Sequence, residues 1–373
     1  MRVLSVVGAR PQFVKAAPVS RVLRQSHSEL LVHTGQHYDD EMSASFFADL
    51  NLPEPDVNLE VGSASHAIQT AEMLRRLEPI VFADRLDGIL VYGDTNSTLA
   101  AAILGSKFAY PDGARPWLAH VEAGLRSFNR IMPEERNRVV ADHLADLLLA
   151  PSATAMTNLE REGLGSRAEL VGDVMVDAHA WAAARADGHL PEPARDLTGF
   201  LLLTLHRAEN VDDPALLRGW LAALDGHGPV LFPVHPRTRQ ALAVHAIPLP
   251  SNVQPMRPVG FLEMVALEAH ARAVLTDSGG VQKEAYLSGV PCLTLRTETE
   301  WVETVEAGWN RVVPTPAALA AALDDEGFMA GTRPRPLLYG DGHTARRIVD
   351  ALERHNEHPG ARPAAPRQEV RAR

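Results

Sequence analysis

Two doubly wound parallel α/β domains are the fold that this sequence predicts, and three features predict it. Short apolar runs alternate with longer stretches of helical period. The runs are apolar on both faces. The pattern breaks once and then starts again. Alternation of this kind marks βαβ units, and two-faced apolar strands belong to sheets covered by helices on both sides. A length of 373 residues suits roughly two domains.

In the first half, strands are expected at 3–7, 30–33, 88–92, 117–121 and 147–150, with helices at 16–25, 95–107 and 134–145. The stretch 182–198 is rich in Ala, Pro and charge and has no clear apolar period, so the pattern breaks there. Beyond it, strands are expected at 200–205, 230–234, 273–277 and 292–295, and helices at 214–223, 262–271 and 281–288. A last helix fits 344–356. The proline-containing remainder has no apolar period and reads as a disordered tail. The expected division is an N-terminal domain 1–175, a C-terminal domain 176–340, a terminal helix 341–356 and the tail 357–373. The active site is expected in the cleft between the two domains.

Composition excludes several functions. The chain is 46% apolar and 22% charged, ordinary for a globular protein. Its net charge of −11 makes it a poor general binder of nucleic acid, so any anion site must be a local basic pocket. Cys292 stands alone in an apolar run, which rules out an intrachain disulfide and reads as a small core side chain rather than a nucleophile. The N-terminal apolar run is too short for a signal-peptide core, and no run approaches the roughly 18 residues of a membrane span. A cytoplasmic protein without a membrane partner is expected.

Chemistry-bearing residues fall at the carboxyl ends of the expected strands, where open parallel sheets bind ligands. Gly8-Ala9-Arg10-Pro11-Gln12-Phe13-Val14-Lys15 follows the first strand. Its glycine would let the backbone approach a ligand, and Arg10 and Lys15 at a helix N-terminus suit phosphate. A tight turn with solvated cations is the alternative. The dinucleotide fingerprint is absent, which argues against a nicotinamide enzyme. Asp94, in Gly93-Asp94-Thr95, reads alone as a helix cap. Glu122 directly follows the strand 117–121, and Glu134 comes about a dozen residues later. Carboxylates brought together raise one another's pKa values, as a general acid or base requires. Arg126, Arg130, Arg136 and Arg138 lie in the same segment, the latter two also readable as surface partners of nearby acids.

In the second half, His206-Arg207-Ala208-Glu209-Asn210 ends one strand. Asp277-Ser278-Gly279-Gly280 ends another and opens a helix whose exposed N–H groups could cradle a diphosphate. Glu284 lies a turn further on, where a carboxylate can bind ribose hydroxyls. His33, His37, His120, His206 and His235 all sit at strand ends, but no spacing suggests a metal site. His206 is the functional candidate because Arg207 and Glu209 accompany it, whereas His33 and His66 read as ordinary. Trp301 and Trp309 read as packing residues.

Taken in order, these motifs together with His120-Val121-Glu122-Ala123-Gly124-Leu125-Arg126 and Pro133-Glu134-Glu135-Arg136-Asn137-Arg138 resemble the non-hydrolysing UDP-N-acetylglucosamine 2-epimerases. The register holds from about Arg2 to His355. The resemblance implies two Rossmann-like domains with a central cleft (glycosyltransferase-B-like), a homodimer, and no nicotinamide or metal. It also implies an isomerase that interconverts UDP-GlcNAc and UDP-ManNAc, eliminating UDP to 2-acetamidoglucal and adding it back on the opposite face. By motif position, Asp94, Glu122 and Glu134 are then the acid/base carboxylates. Arg10, Lys15 and His206 handle the diphosphate and leaving group. Ser278, Gly279 and Gly280 bind phosphate, Glu284 the ribose, and Phe261 lies beside the uracil. Arg207 and His235 join the substrate-binding set.

Three departures qualify the resemblance. Ala9 and Gln12 stand where well-known members read GTRPE, and Thr299-Glu300-Trp301-Val302-Glu303 where they read TERPE. Both resemble a branch that includes epimerases of UDP-2,3-diacetamido-2,3-dideoxy-glucuronate. Gln36-His37 and Gln69-Thr70 are kept from a second, activating UDP-GlcNAc site, but Asp39 and Ile68 replace the expected Gln and Arg, which weakens the expectation of allosteric activation. A two-domain glycosyltransferase, needing an acceptor, and a non-catalytic UDP-sugar sensor are the competing classes.

Overall fold

The structure, a computed structural model, describes residues 1–36 and 50–358. His37, Asp39 and the expected tail beyond 358 lie outside the described residues. The chain forms two compact units. One is Met1–Ala178 together with the chain from Tyr339 onward, and the other is His179–Leu338.

The first unit holds seven parallel strands: β1 (Arg2–Val7), β2 (Ser28–His33), β3 (Val57–Asn58), β4 (Gly88–Tyr92), β5 (Trp117–Val121), β6 (Leu147–Ala150) and β7 (Ala168–Leu170). They are ordered β3-β2-β1-β4-β5-β6-β7. The second unit orders β10 (Val253–Met256), β9 (Val230–Pro233), β8 (Leu201–Thr204), β11 (Ala273–Thr276), β12 (Cys292–Thr294) and β13 (Asn310–Val312) in that spatial sequence. Strand order reverses between β1 and β4 in one unit and between β8 and β11 in the other, the switch points at which such sheets bind ligands.

Both sheets carry apolar faces on each side, so the predicted class is observed. In the first unit, Leu4, Val6, Ile89, Val91, Leu118 and Leu148 pack on Leu77, Val81, Ala101 and Ala141 from covering helices. In the second, Leu203, Phe232 and Leu275 meet Trp220 on one face, while Leu202, Leu231 and Cys292 meet Leu267 and Ala285 on the other. Burial pushes the Cys292 thiol up to about 12, which keeps it a thiol and a core side chain.

Several elements depart from the expected bounds. The first helix runs Arg10–Leu23, starting well before residue 16, because Pro11 suits a first helical turn. The Gln12 side chain also accepts from the N–H groups of Gly8 and Ala9 at 2.8 and 3.1 Å. The helix His66–Asp84 passes through Pro79, held on the sheet by buried Met73, Leu77 and Val81. Short β3, β7, β10 and β13 were not expected; β10 contains Pro255, tolerable at a sheet edge. The last helix, Thr344–Glu357, packs on the first unit through its buried Ile348, Val349 and Leu352. The Asp177 carboxylate accepts from Thr344 and Ala345 N–H at 3.1 and 2.9 Å, anchoring its start.

Candidate functional site

In the first unit the turns after β1, β4 and β5 converge. Glu122 directly follows β5 with φ of +70°, a left-handed conformation costing a non-glycine residue about 1–3 kcal/mol. Its N–H is nonetheless held by the Leu149 carbonyl at 3.1 Å. This strained turn aims the buried carboxylate at Lys15, with which it forms an ion pair. Burial works against the Lys15 charge, but Glu122, Asp94 and Asp173 more than offset it and hold the ammonium above its usual pKa. Lys15 is therefore a fixed cation inside a carboxylate cluster.

Asp94 caps no helix; Thr95 does that, accepting from Thr98 N–H. Asp94 instead pairs with Arg138, and its backbone carbonyl accepts from Asn137 Nδ2 at 2.9 Å. Arg138 is buried, so its reading as a surface partner fails: the helix Pro133–Leu144 turns that face inward. Desolvation lowers the Arg138 pKa, but Asp94, Glu135 and Glu122 carry it above the ordinary value. Arg136 is exposed and donates to the Arg130 carbonyl at 2.9 Å.

Glu134 and Glu135 differ sharply. Glu134 is exposed on the first turn of that helix. Glu135 is buried and accepts from Ser127 N–H and Phe128 N–H, both at 2.9 Å, fixing the preceding loop. Below them, Asp142 is fully buried and accepts from His120 Nδ1 at 2.7 Å and Gly124 N–H at 3.1 Å. It also pairs with Arg126 at 2.7 Å. Against its desolvation, His120 and Arg126 hold the Asp142 carboxyl below the usual range. His120 Nε2 reaches the Gly93 carbonyl at 2.7 Å, bracing the residue next to Asp94.

The fold itself demands glycine at position 8. A Cβ there would lie 2.1 Å from Ser97 Oγ and 2.2 Å from Thr34 Oγ1. Gln12 also turns out structural. Its amide NH2 donates to the Tyr92 carbonyl at 2.8 Å and to Thr98 Oγ1 at 3.0 Å, stitching the first turn to β4. Arg10 is partly exposed at the start of its helix. Gln36 and Gln69 join a neighbouring network: Gln36 Oε1 accepts from Ser97 Oγ at 2.8 Å, and Gln69 donates to the Gly62 carbonyl at 2.8 Å.

In the second unit, buried Asp277 organises the turn after β8. It accepts from His206 N–H and Arg207 N–H at 3.0 and 2.9 Å and from Asn210 Nδ2 at 3.1 Å. It also pairs with His206 Nδ1 at 3.0 Å. Desolvation notwithstanding, His206 and these N–H donors hold the Asp277 carboxyl below its usual range. The His206 ring, part exposed, thereby has one nitrogen anchored, and its centroid lies 5.4 Å from that of His235. His235 caps the helix Pro236–Val244, its Nδ1 accepting from Arg237 N–H at 3.2 Å.

Ser278, Gly279 and Gly280 open the helix Gly279–Ser288, with Glu284 largely buried on its second turn. Trp301, a packing residue as read, donates its indole N–H to the Gly279 carbonyl at 2.8 Å. The Lys283 ammonium lies 4.2 Å from the Trp301 ring centroid. Phe261 is buried at the start of the helix Phe261–His270. The sequence signalled Asp277 only as part of a motif, and nothing in it singled out Asp142. Among the described residues, no helix is long and apolar enough to cross a membrane.

Comparisons with known proteins bear on the family and the fold. A family model described as UDP-N-acetylglucosamine 2-epimerase matches residues 21–353. The chain is 44% identical over 361 residues to a UDP-N-acetylglucosamine 2-epimerase homolog of Methanococcus maripaludis, covering 94% of this chain and 99% of the relative. It is 42% identical over 370 residues to the UDP-2,3-diacetamido-2,3-dideoxy-D-glucuronate 2-epimerase of Pseudomonas aeruginosa, with 94% and 99% covered. A crystal structure of Methanocaldococcus jannaschii UDP-GlcNAc 2-epimerase in complex with UDP-GlcNAc and UDP aligns with a TM-score of 0.85 and 38% identity. That alignment covers 95% of this chain and 100% of that one. The motif order, the two sheets and a match spanning nearly the whole chain have one common explanation: the chain belongs to the UDP-N-acetylglucosamine 2-epimerase family.

Proposed function

We propose that this protein interconverts UDP-N-acetylglucosamine and UDP-N-acetylmannosamine by eliminating UDP to 2-acetamidoglucal and re-adding it on the opposite face. The observation that carries the reading is the carboxylate cluster of Asp94 and Glu122 with buried Lys15 and Arg138. C2–H is weakly acidic, so a carboxylate must take its proton as the C1–O bond breaks. A second acid or base must return a proton to the other face. In this reading Asp94, Glu122 and Glu134 share those two duties. Arg10, Lys15 and His206 meet the developing charge on the departing diphosphate. Ser278, Gly279 and Gly280 bind phosphate, and Glu284 the ribose, with Arg207, His235 and Phe261 completing the nucleotide contacts.

The glycines support the phosphate assignment. A Cβ on Gly279 or Gly280 would come no nearer than 3.8 Å to another residue, so packing does not demand them. Backbone left open at a helix N-terminus suits an anion that must approach closely. In a second reading the same chemistry acts on UDP-2,3-diacetamido-2,3-dideoxy-glucuronate. It is favoured by the 42% identity to the Pseudomonas aeruginosa enzyme and by Thr299-Glu300-Trp301-Val302-Glu303, which departs from the TERPE of the family resemblance. The protein is further read as a cytoplasmic homodimer without a metal or nicotinamide.

The test is proton NMR in D2O with both UDP-sugars side by side. Deuterium appears at C2 of recovered substrate, and the sugar that exchanges identifies the substrate. Glu122→Gln and Asp94→Asn lower exchange by about 10²–10⁴-fold while UDP still binds. Protium retained at C2 after full equilibration rules the mechanism out.

A further inference from the structure

Two adjacent glycines are an unfavourable start for a helix. Gly279 and Gly280 open the helix Gly279–Ser288, and glycine gives up more backbone freedom on folding than any other residue. The first N–H groups of a helix have no partner inside it, and they hold an anion tightly only if their turn is already rigid. In the second unit that rigidity comes from the loop after β12. Thr299 Oγ1 donates to Gln282 Oε1 at 2.6 Å, Asn310 Nδ2 donates to the same oxygen at 3.2 Å, and Trp301 N–H donates to Thr299 Oγ1 at 3.1 Å. The Trp301 side chain then meets the glycine turn at both ends. Its indole N–H donates to the Gly279 carbonyl at 2.8 Å. Its ring centroid lies 4.2 Å from the ammonium of Lys283, a turn further along the same helix face.

We propose that Trp301 is a positioning residue for the diphosphate: it staples the turn from Gly279 to Lys283 and so keeps the N–H groups of that turn aimed at phosphate. The inference rests on the reading of Gly279 and Gly280 as the phosphate site. The Gly279 carbonyl and the Gly280 N–H belong to one planar trans peptide and point in opposite directions. A donor fixed on the carbonyl therefore fixes the N–H as well. Without that donor the peptide, flanked by glycine on both sides, rotates more freely and can bring its oxygen toward the anion. A side chain at either position would also stiffen the turn, but it would occupy the space a phosphate needs. The indole stiffens the turn from behind and leaves its front open.

The neighbours of the staple fit this role. Trp301 is buried, and a buried indole N–H is costly to leave unpaired, which keeps it on the carbonyl. Glu300 Oε2 would stand 3.8 Å from a Cβ on Gly279, a carboxylate close to an anion site. It is neutralised in place by a two-pronged pair with Arg296 at 2.8 and 3.1 Å, both members buried. Burial works against the Glu300 charge, but Arg296 holds the carboxyl below its usual range.

The experiment compares binding of UDP and uridine to the full chain by calorimetry, since uridine lacks the phosphates. The wild type prefers UDP. Trp301→Phe keeps an aromatic ring for Lys283 and loses the N–H donor. It lowers UDP affinity by about two- to tenfold, the worth of one neutral hydrogen bond, and leaves uridine affinity unchanged. A folded Trp301→Phe with the wild-type ratio of the two affinities overturns the inference, whether both hold or both fall. Gly280→Ala tests the phosphate reading separately. A Cβ there meets nothing nearer than 3.9 Å, so the fold accepts it, but it intrudes on the phosphate and lowers UDP affinity. Unchanged UDP affinity in Gly280→Ala overturns the phosphate reading itself. Should Trp301→Phe not fold, hydrogen exchange of the wild type decides. Gln282 N–H, bonded to the Ser278 carbonyl at 3.3 Å, and the Trp301 indole N–H then show equal protection, because one opening of the turn releases both. Unequal protection of the two overturns the staple.

Discussion

The two units bury carboxylates at corresponding places, just beyond the strands of a parallel sheet, yet neutralise them in opposite ways. In the first unit two carboxylates each face a cation: Lys15 for Glu122 and Arg138 for Asp94. In the second, Asp277 is satisfied mainly by N–H donors, with the His206 ring beside them. The difference follows from chemistry. A carboxylate that must accept a proton from carbon has to stay ionised until the substrate arrives, and a fixed cation secures that. A carboxylate that only holds a turn in place needs directed donors, and N–H groups supply them without a competing charge.

Removing the cation from the first unit is the largest way to break the comparison. Lys15→Met leaves Glu122 buried without its partner, and breaking such a pair costs about 3–5 kcal/mol in stability. The Glu122 carboxyl then takes up a proton more readily, so the acid limb of the kcat/KM profile moves to higher pH. Chemical denaturation and a pH–rate profile check both effects. An unmoved acid limb would mean that Lys15 does not keep Glu122 ionised.

A smaller effect is expected where N–H donors replace a cation. Asp277→Asn keeps one acceptor oxygen but loses the charge that holds His206 Nδ1 and two backbone N–H groups. Turnover falls by about ten- to a hundredfold, the worth of a hydrogen bond to a charged group, while KM moves less. Stability changes with pH in a defined sense. The Asp277 pKa is depressed in the folded state, so its contribution is present above the ordinary carboxyl range and is lost as pH falls through the folded value. Acid denaturation curves of the Asn variant therefore lack that loss.

What the sequence reveals of all this depends on distance along the chain. β4, β5 and β6 begin and end at the residues expected from their apolar runs, because burial on both faces leaves no other assignment. The helix His66–Asp84 is hidden by Pro79 and by adjacent Arg75 and Arg76; tertiary packing overrides the local signal. The last helix shows its amphipathic face in sequence but not its partner, which lies in the first unit. Site residues follow the same division. Glu122 is conspicuous at its strand end, but Lys15 lies 107 positions away, and only the β1–β4–β5 order brings the two together. Nor does any local rule tell exposed Glu134 from buried Glu135; the packing of one helix face decides it.

The smallest effect is expected where burial, rather than a paired charge, sets a protonation state. His179 is buried against Ser288, and burial pushes its folded pKa to about 4, below the ordinary value of about 6.5. Between those values the unfolded chain binds a proton that the folded chain refuses. Stability is therefore full above the upper value and declines as pH falls toward the lower one. At pH 5.5 the loss amounts to roughly 1–2 kcal/mol. His179→Gln keeps a donor for Ser288 but cannot be protonated. At pH 7.5 the variant is less stable by about 1 kcal/mol, the cost of a poorer hydrogen bond. At pH 5.5 it should match or exceed the wild type. Thermal unfolding at the two pH values measures the crossing. A stability gap that stays constant would show that His179 takes up its proton in the folded state as readily as in the unfolded one.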